Sequence, residues 1–158
     1  MYTKLFSLCA GIALLSACSG NKASTETTVE NVEETATENV DIKGQWYLEN
    51  IVVNDSVSVR PAEEAPDVRQ YITFDNSTYF IQTNCNTFSG AYTINGDSIT
   101  LGDGAMTEMA CENMATEDIL RSVLPHIALV NVENDSIVRL NSATSSEYIV
   151  LRKATEQK

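Results

Sequence analysis

The residues with the most chemical reach in this chain are Cys18, Cys85, Cys111 and His126, with methionines at positions 106, 109 and 114. Cys85 stands in the run NCNTFSG, and Cys111 in the run GAMTEMACENM. Three chemistries are open to such residues. A cysteine nucleophile needs a base, usually a histidine held by a third group. The sole histidine, His126, follows Pro125, and nothing in the spacing ties it to Cys85. Soft sulfur ligands such as Met106, Met109, Cys111 and Met114 suit Cu(I). Their spacing is not that of a zinc motif, and methionine also fills irregular gaps in cores. The third chemistry is a disulfide between Cys85 and Cys111, the first reading for an even pair in an oxidising compartment. Closing that loop would stabilise the fold by about 3–4 kcal/mol in the chain-entropy account.

No other constellation stands out. Ser89 and Thr107 lack an evident activating base, and the glycines form no phosphate-binding loop. There is no G-x-S-x-G elbow, and the scattered acids favour no catalytic pair. Asn84, Asn86, Ser89 and Gly90 read as turn formers, because asparagine side chains bond local backbone and glycine lets the chain reverse. The expectation is therefore a protein that is not an enzyme, with no catalytic residue, metal or cofactor.

The compartment is written at the N-terminus. The stretch MYTKLFSLCAGIALLSAC places Lys4 before a short apolar run that ends in Leu15-Ser16-Ala17-Cys18. A membrane-spanning helix needs about 20 apolar residues, so this run reads as a signal peptide. Its last four residues look like a bacterial lipobox, in which the Cys18 thiol takes a diacylglyceryl thioether. Further acylation of the new N-terminus would give the two or more chains that stable anchoring requires. From Ser19 to Asp41, six acids against Lys22 leave a net charge of −5, and there is no aromatic residue. Such a segment cannot bury enough apolar surface to offset its conformational entropy. It reads as an acidic tether. Residues 42–158 carry 16 acids and 8 bases, which argues against nucleic acid and against adhesion to anionic headgroups. The reading divides the chain into a signal peptide (1–17), a lipidated cysteine with its tether (18–41), a folded domain (42–153) and a short tail (154–158).

Within the domain, eight β-like runs are divided by turn signals. GQWYLENIVV stops at Asn54-Asp55, QYITFD and TYFIQT flank Asn76-Ser77, and AYTI and SITL flank Asn95-Gly96-Asp97. Asn-Gly between alternating runs is a strong hairpin signal. IALVNV, SIVRLN and EYIVLR complete the set. One segment, ATEDILRSVLP, has a helical stripe at Ile119, Leu120, Val123 and Leu124. Thr116 is the expected N-cap, and Pro125 is expected to force Leu124 into extended geometry and end the helix. The expected fold is mainly β, a small curved antiparallel sheet or barrel of about eight strands closed by one helix.

The run NCNTFSGAYTI, followed by AMTEMAC and a helix ending ILRSVL, resembles the META domain of HslJ-like bacterial lipoproteins. The matching positions are Cys85-Asn86, Ser89-Gly90, Thr107, Met109 and Cys111, and GQWYLENI is similar to the family's opening strand. The resemblance covers roughly residues 41–153. It implies a barrel-like antiparallel sheet with a helix, export, frequent lipidation, and association with heat shock and envelope stress. It implies no enzymatic activity or cofactor, and its motif residues look structural. The function expected is a non-enzymatic envelope lipoprotein, lipid-anchored at the outer membrane, that binds a protein partner or small ligand. Alternatives are a hydrolase inhibitor, using residues 60–69 or 84–90 as a plug, and a Cu(I) or redox protein using residues 106–114.

Overall fold

The computed structural model describes residues 39–154. The first strand, β1 (Gly44–Asn54), is followed by β2 (Val57–Val59), a one-turn helix α1 (Pro61–Glu64), β3 (Tyr71–Asp75) and β4 (Thr78–Gln82). Then come β5 (Thr87–Asn95), β6 (Ser98–Met106), α2 (Ala115–Val123), a 3-10 turn (Leu124–His126), β7 (Ile127–Asn134), β8 (Ile137–Ser142) and β9 (Tyr148–Lys153). Strands β3 to β9 follow one another in space, and β1 pairs with both β3 and β9. That double pairing closes eight antiparallel strands into a barrel, as the sequence pattern leads one to expect. The ninth strand, β2, lies outside that ring. It folds back on the end of β1 through Ile51↔Val59, Val52↔Ser58 and Asn54↔Val57.

Side chains that alternate inward make the core. Trp46, Leu48 and Ile51 of β1 meet Ile72 and Phe74 of β3, Tyr79 and Ile81 of β4, and their counterparts around the ring. Phe74 and Tyr92 meet edge to face at 5.0 Å, the geometry their ring quadrupoles favour. Ile42 plugs one end, and its carbonyl accepts the Trp46 indole N–H at 2.8 Å. Two hairpins turn on left-handed residues, Asn76 (φ 46°) between β3 and β4 and Gly96 (φ 64°) between β5 and β6. Asparagine and glycine are the residues that tolerate this region.

The ring is joined unevenly. Between β6 and β7 the only bridged pair is Ser98↔Leu129. The second half of β6 instead faces α2 and the 3-10 turn, across a cavity of about 430 Å³ bordered by Gly104, Met106, Arg121 and Pro125. The helix buries Ile119, Leu120 and Val123 against the core, as its stripe predicts.

Its ends differ from expectation. Thr116 is not the cap: the helix starts from Met114 without a side-chain cap bond. Thr116 is buried one position into the first turn, while Asn113 Oδ1 accepts the Ala115 N–H at 3.1 Å. Leu124 is also helical, at φ −52° and ψ −41°, and Pro125 sits inside the 3-10 turn. A proline near the start of a helical turn has no N–H to leave unpaired, so it continues the turn rather than stopping it. Extended geometry begins at Ile127. Among the described residues, no helix is long and apolar enough to cross a membrane. The expected signal peptide, Cys18, and the tether and tail except for residues 39–41 and 154 lie outside the described residues.

Candidate functional site

The motif residues meet where the β4–β5 turn faces the segment that leads into α2. Tyr79 and Ile81 point inward along β4, and Thr83 continues that register, so a hydroxyl enters the core end of the barrel. Thr83 N–H donates to the Asn86 carbonyl at 2.9 Å and closes the turn. Glu117, in the first turn of α2, is fully buried and aims at this turn. Its Oε1 accepts the backbone N–H groups of Cys85 at 3.2 Å and Asn86 at 3.1 Å, and also bonds the Thr83 hydroxyl. Two successive N–H groups converging on an anion form a nest. Here the protein supplies the occupant itself.

Asn86 is the centre of the arrangement and is fully buried. Its Oδ1 accepts the Met109 N–H at 2.8 Å and the Thr107 hydroxyl at 2.9 Å. Its Nδ2 donates to the Met109 carbonyl at 3.1 Å. The amide therefore pairs with the Met109 backbone on both sides, as a neighbouring strand would. Thr107 Oγ1 in turn accepts the Thr87 N–H at 3.0 Å. Asn84 adds a bond from Nδ2 to the Asn113 carbonyl at 3.0 Å. Cys85 and Cys111 are joined as a disulfide with Cα atoms 6.2 Å apart, beside this network.

Ser89 and Gly90 lie on β5, and their roles differ. Gly90 pairs with Tyr79 on one side and Gly104 on the other. A Cβ on Gly90 would stand 2.7 Å from the Tyr79 ring, and one on Gly104 would stand 2.1 Å from the Ser89 carbonyl oxygen. The glycines thus make a shelf for the Tyr79 ring, and burial pushes the Tyr79 phenol up. Ser89 pairs across to Phe80 and Ala105 through its backbone.

This geometry bears on each chemistry considered from sequence. Cys85 has no free thiol in this state, and His126 turns elsewhere, with Nδ1 2.7 Å from Glu147 Oε2. The sulfur of Cys111 is committed to the disulfide. Met109 is 61% exposed, whereas Met106 packs against the core and Met114 Sδ lies 3.9 Å from Asn86 Nδ2. Among the described residues, no three of His, Cys, Asp and Glu are grouped to hold a metal ion. What the arrangement does is hold: three connections, covalent, amide and carboxylate, fix the 107–117 segment to one hairpin turn. Thr83 and Glu117 are missing from the motif reading. The inward register of Tyr79 and Ile81 is the signal that could have placed Thr83, whereas an acid in a first helical turn reads as a surface complement to the helix dipole.

Comparison with known proteins agrees with this architecture. A family model described as META domain matches residues 38–155. An NMR structure of a protein from Burkholderia xenovorans aligns with a TM-score of 0.58 at 18% identity, covering 71% of this chain and 82% of that one. A crystal structure of a DUF4847 family protein from Bacteroides vulgatus aligns with a TM-score of 0.52 at 13% identity, covering 80% of this chain and 99% of that one. At such identities the likeness is one of fold. No curated protein matches the chain.

Proposed function

Since this chain belongs to the META domain family, as the match over residues 38–155 shows, we propose that it is a membrane-anchored envelope lipoprotein whose domain serves as a non-enzymatic binding module. The observation that carries this reading is the sequence Leu15-Ser16-Ala17-Cys18 at the end of a short apolar run, followed by an acidic stretch. The Cys85–Cys111 disulfide supports it, since such bonds persist outside the reducing cytoplasm. Support also comes from the way the reactive residue types are spent: cysteines, Asn86 and Glu117 all face one another inside the clasp. Ser19 follows Cys18 where some inner-membrane lipoproteins have aspartate, which favours the outer membrane as the destination. A role under envelope stress belongs to the same reading.

Labelling cells with a radioactive or clickable palmitate analogue, followed by membrane fractionation, tests the anchor. The wild-type chain is expected to carry label and to sediment with outer membrane. Cys18→Ser is expected to lose the label and the sedimentation together. An unlabelled wild-type protein recovered in the soluble fraction would overturn the reading.

A further inference from the structure

The wall of the barrel is open along one side of β6. Beyond the pair Ser98↔Leu129 no strand is bridged to that side, so as far as Met106 the only strand neighbour is β5. Successive residues of a strand turn their N–H and C=O groups to opposite edges, and an edge without a partner is a template for another strand. Gly102 and Asp103 form a bulge, two residues opposite Ala91. Past the bulge, the stretch Gly104–Met106 borders the cavity of about 430 Å³ that Arg121 and Pro125 border from the other side. Gly104 and Ala105 are exposed, and with no side chain larger than a methyl group they leave this backbone uncovered.

One polar group reaches this opening from within. Tyr79 starts on β4, and its ring crosses Gly90 of β5 toward Gly104 of β6. A Cβ on Gly104 would stand 3.1 Å from the Tyr79 hydroxyl oxygen, so the ring delivers that oxygen to the open edge. Tyr79 is 6% exposed, and its hydroxyl has no hydrogen bond among the described residues. Gln70 Oε1, Thr116 Oγ1 and Glu117 Oε2 are shut away without partners, but the Tyr79 oxygen is not, and Tyr79 lines the cavity. A phenol in such a place donates to a carbonyl or accepts from an N–H.

An open backbone edge, a free hydroxyl and a floor of Phe88, Met106 and Leu124 together fit a peptide in extended form. Its main chain bonds to the edge, and alternate side chains enter the cavity. Charge selects among extended segments. Asp103 and Glu108 border the cavity against Arg121, and none of the three is in an ion pair among the described residues. Two candidate occupants bring like charge to these acids: the 19–41 stretch, at −5, and a second copy of a chain whose net charge is −12. A basic segment of another protein brings the complementary charge. We propose that the open edge of β6 at Gly104–Met106 binds a short basic, extended segment of a partner protein by strand addition, with the Tyr79 hydroxyl bonding its backbone. The inference rests on the reading of the domain as a binding module and names the class of partner for one face of it.

The test titrates the purified, 15N-labelled full chain with a blocked hexapeptide of alternating lysine and valine. A glutamate–valine version and a lysine–valine version N-methylated at every residue are run in parallel. The basic peptide is expected to shift the amides of Leu101–Met106 and to slow hydrogen exchange within Gly104–Met106. The N-methylated peptide, which has no backbone N–H to offer, is expected to bind about tenfold more weakly or worse. Tyr79→Phe keeps the ring and is expected to weaken the basic peptide about threefold to tenfold. Asp103→Asn combined with Glu108→Gln, both at exposed positions, is expected to weaken it about fivefold, while Arg69→Gln changes nothing. Equal binding of the N-methylated peptide would overturn strand addition, and equal binding of the acidic one would overturn the basic partner. Shifts of the same amides with protein concentration alone would give the edge to a second copy instead. Absence of any shift at about 5 mM peptide, far above a micromolar to submillimolar Kd, would overturn the site. Shifts confined to another face would overturn the edge and leave the binding-module reading standing.

Discussion

With one side chain, Asn86 does what a strand partner does with its backbone, and this makes it the residue on which the clasp turns. Truncating it to alanine removes the partner of the Met109 N–H and carbonyl and of the Thr107 hydroxyl in a part-buried site. Each buried group left unpaired costs about 1–3 kcal/mol, less whatever the site recovers by relaxing. Asn86→Ala should therefore lose about 2–4 kcal/mol, read as a lower urea midpoint at constant slope. Asn84→Ala removes one bond at a half-buried position and should lose less than about 1 kcal/mol. Equal losses from the two would remove Asn86 from its central role. Glu49 makes a different kind of prediction. The hydrogen bond from Arg152 holds its carboxyl below the usual carboxylate range, with burial opposing and the Arg152 and Arg60 charges assisting. A depressed folded value means that the pair contributes above the ordinary carboxylate range and is lost as pH falls through the folded value. Both partners are about half exposed, at 51% and 44%, so solvent screens the pair and its share of stability is small. Arg152→Gln should raise the Glu49 midpoint in a carboxyl 13C titration while leaving the neutral-pH melting temperature nearly unchanged. An unmoved midpoint would sink the assignment.

At the scale of elements, β5 and β6 approach closely because glycines face each other across the pair. Gly104 has no room for a methyl group, which would meet the Ser89 carbonyl oxygen at 2.1 Å, whereas at Gly102 the nearest atom is 3.4 Å away. Gly104→Ala must pry the two strands apart and should cost about 2 kcal/mol or more. Gly102→Ala should stay within about 1 kcal/mol of wild type, since only strand propensity and a tight contact change. Thermal unfolding of the two variants separates these cases, and similar melting temperatures would show that the ladder yields easily. Much of this ladder is legible in the sequence. The eight alternating runs are the eight barrel strands, because period-two patterning and Asn-Gly turns are local signals. What escaped is what depends on distant partners. Val57–Val59 is too short to announce itself, and it is a strand only because β1 runs past β3 and offers it an edge. Pro61–Glu64 is one turn of helix with no apolar stripe. Thr116 has the composition of a cap, but Glu117 must reach the 83–86 turn, and that requirement draws the helix start back to Met114. The motif cysteines could be paired from sequence, whereas the Asn86–Met109 pairing spans 23 residues and needs the fold to be seen.

For the whole molecule, the question is what keeps an unevenly joined barrel shut. β7 and β8 share six bridged pairs and β5 and β6 share seven, but β6 and β7 share one, assisted by the Val130 N–H to the Asp97 carbonyl at 2.8 Å. Beside that joint lies the cavity that β6 shares with Arg121 and the 3-10 turn, and α2 is tied down at its N-terminal end by Glu117 and by the disulfide that precedes it. The bridge between Cys85 and Cys111 therefore constrains more than a loop: it holds the helix that packs Ile119, Leu120 and Val123 on the core. With the cysteines 26 positions apart, the chain-entropy account gives a contribution of about 3.5 kcal/mol. In a domain of this size that corresponds to a fall of about 10–20 °C in melting temperature on reduction. The loss should not be spread evenly. Amides of Cys85, Asn86 and Met109 should exchange faster in the reduced protein, because each of their bonds joins the hairpin turn to the released segment. Amides along β8 and β9 should stay close to their oxidised rates, since those strands are paired on both sides. Hydrogen exchange on oxidised and reduced samples reads both effects at once. A reduced protein that keeps its melting temperature and its protection at Met109 would show that Asn86 and Glu117 close the barrel without the sulfur bridge. A uniform loss of protection would mean that the 107–117 segment and the strands open as one unit.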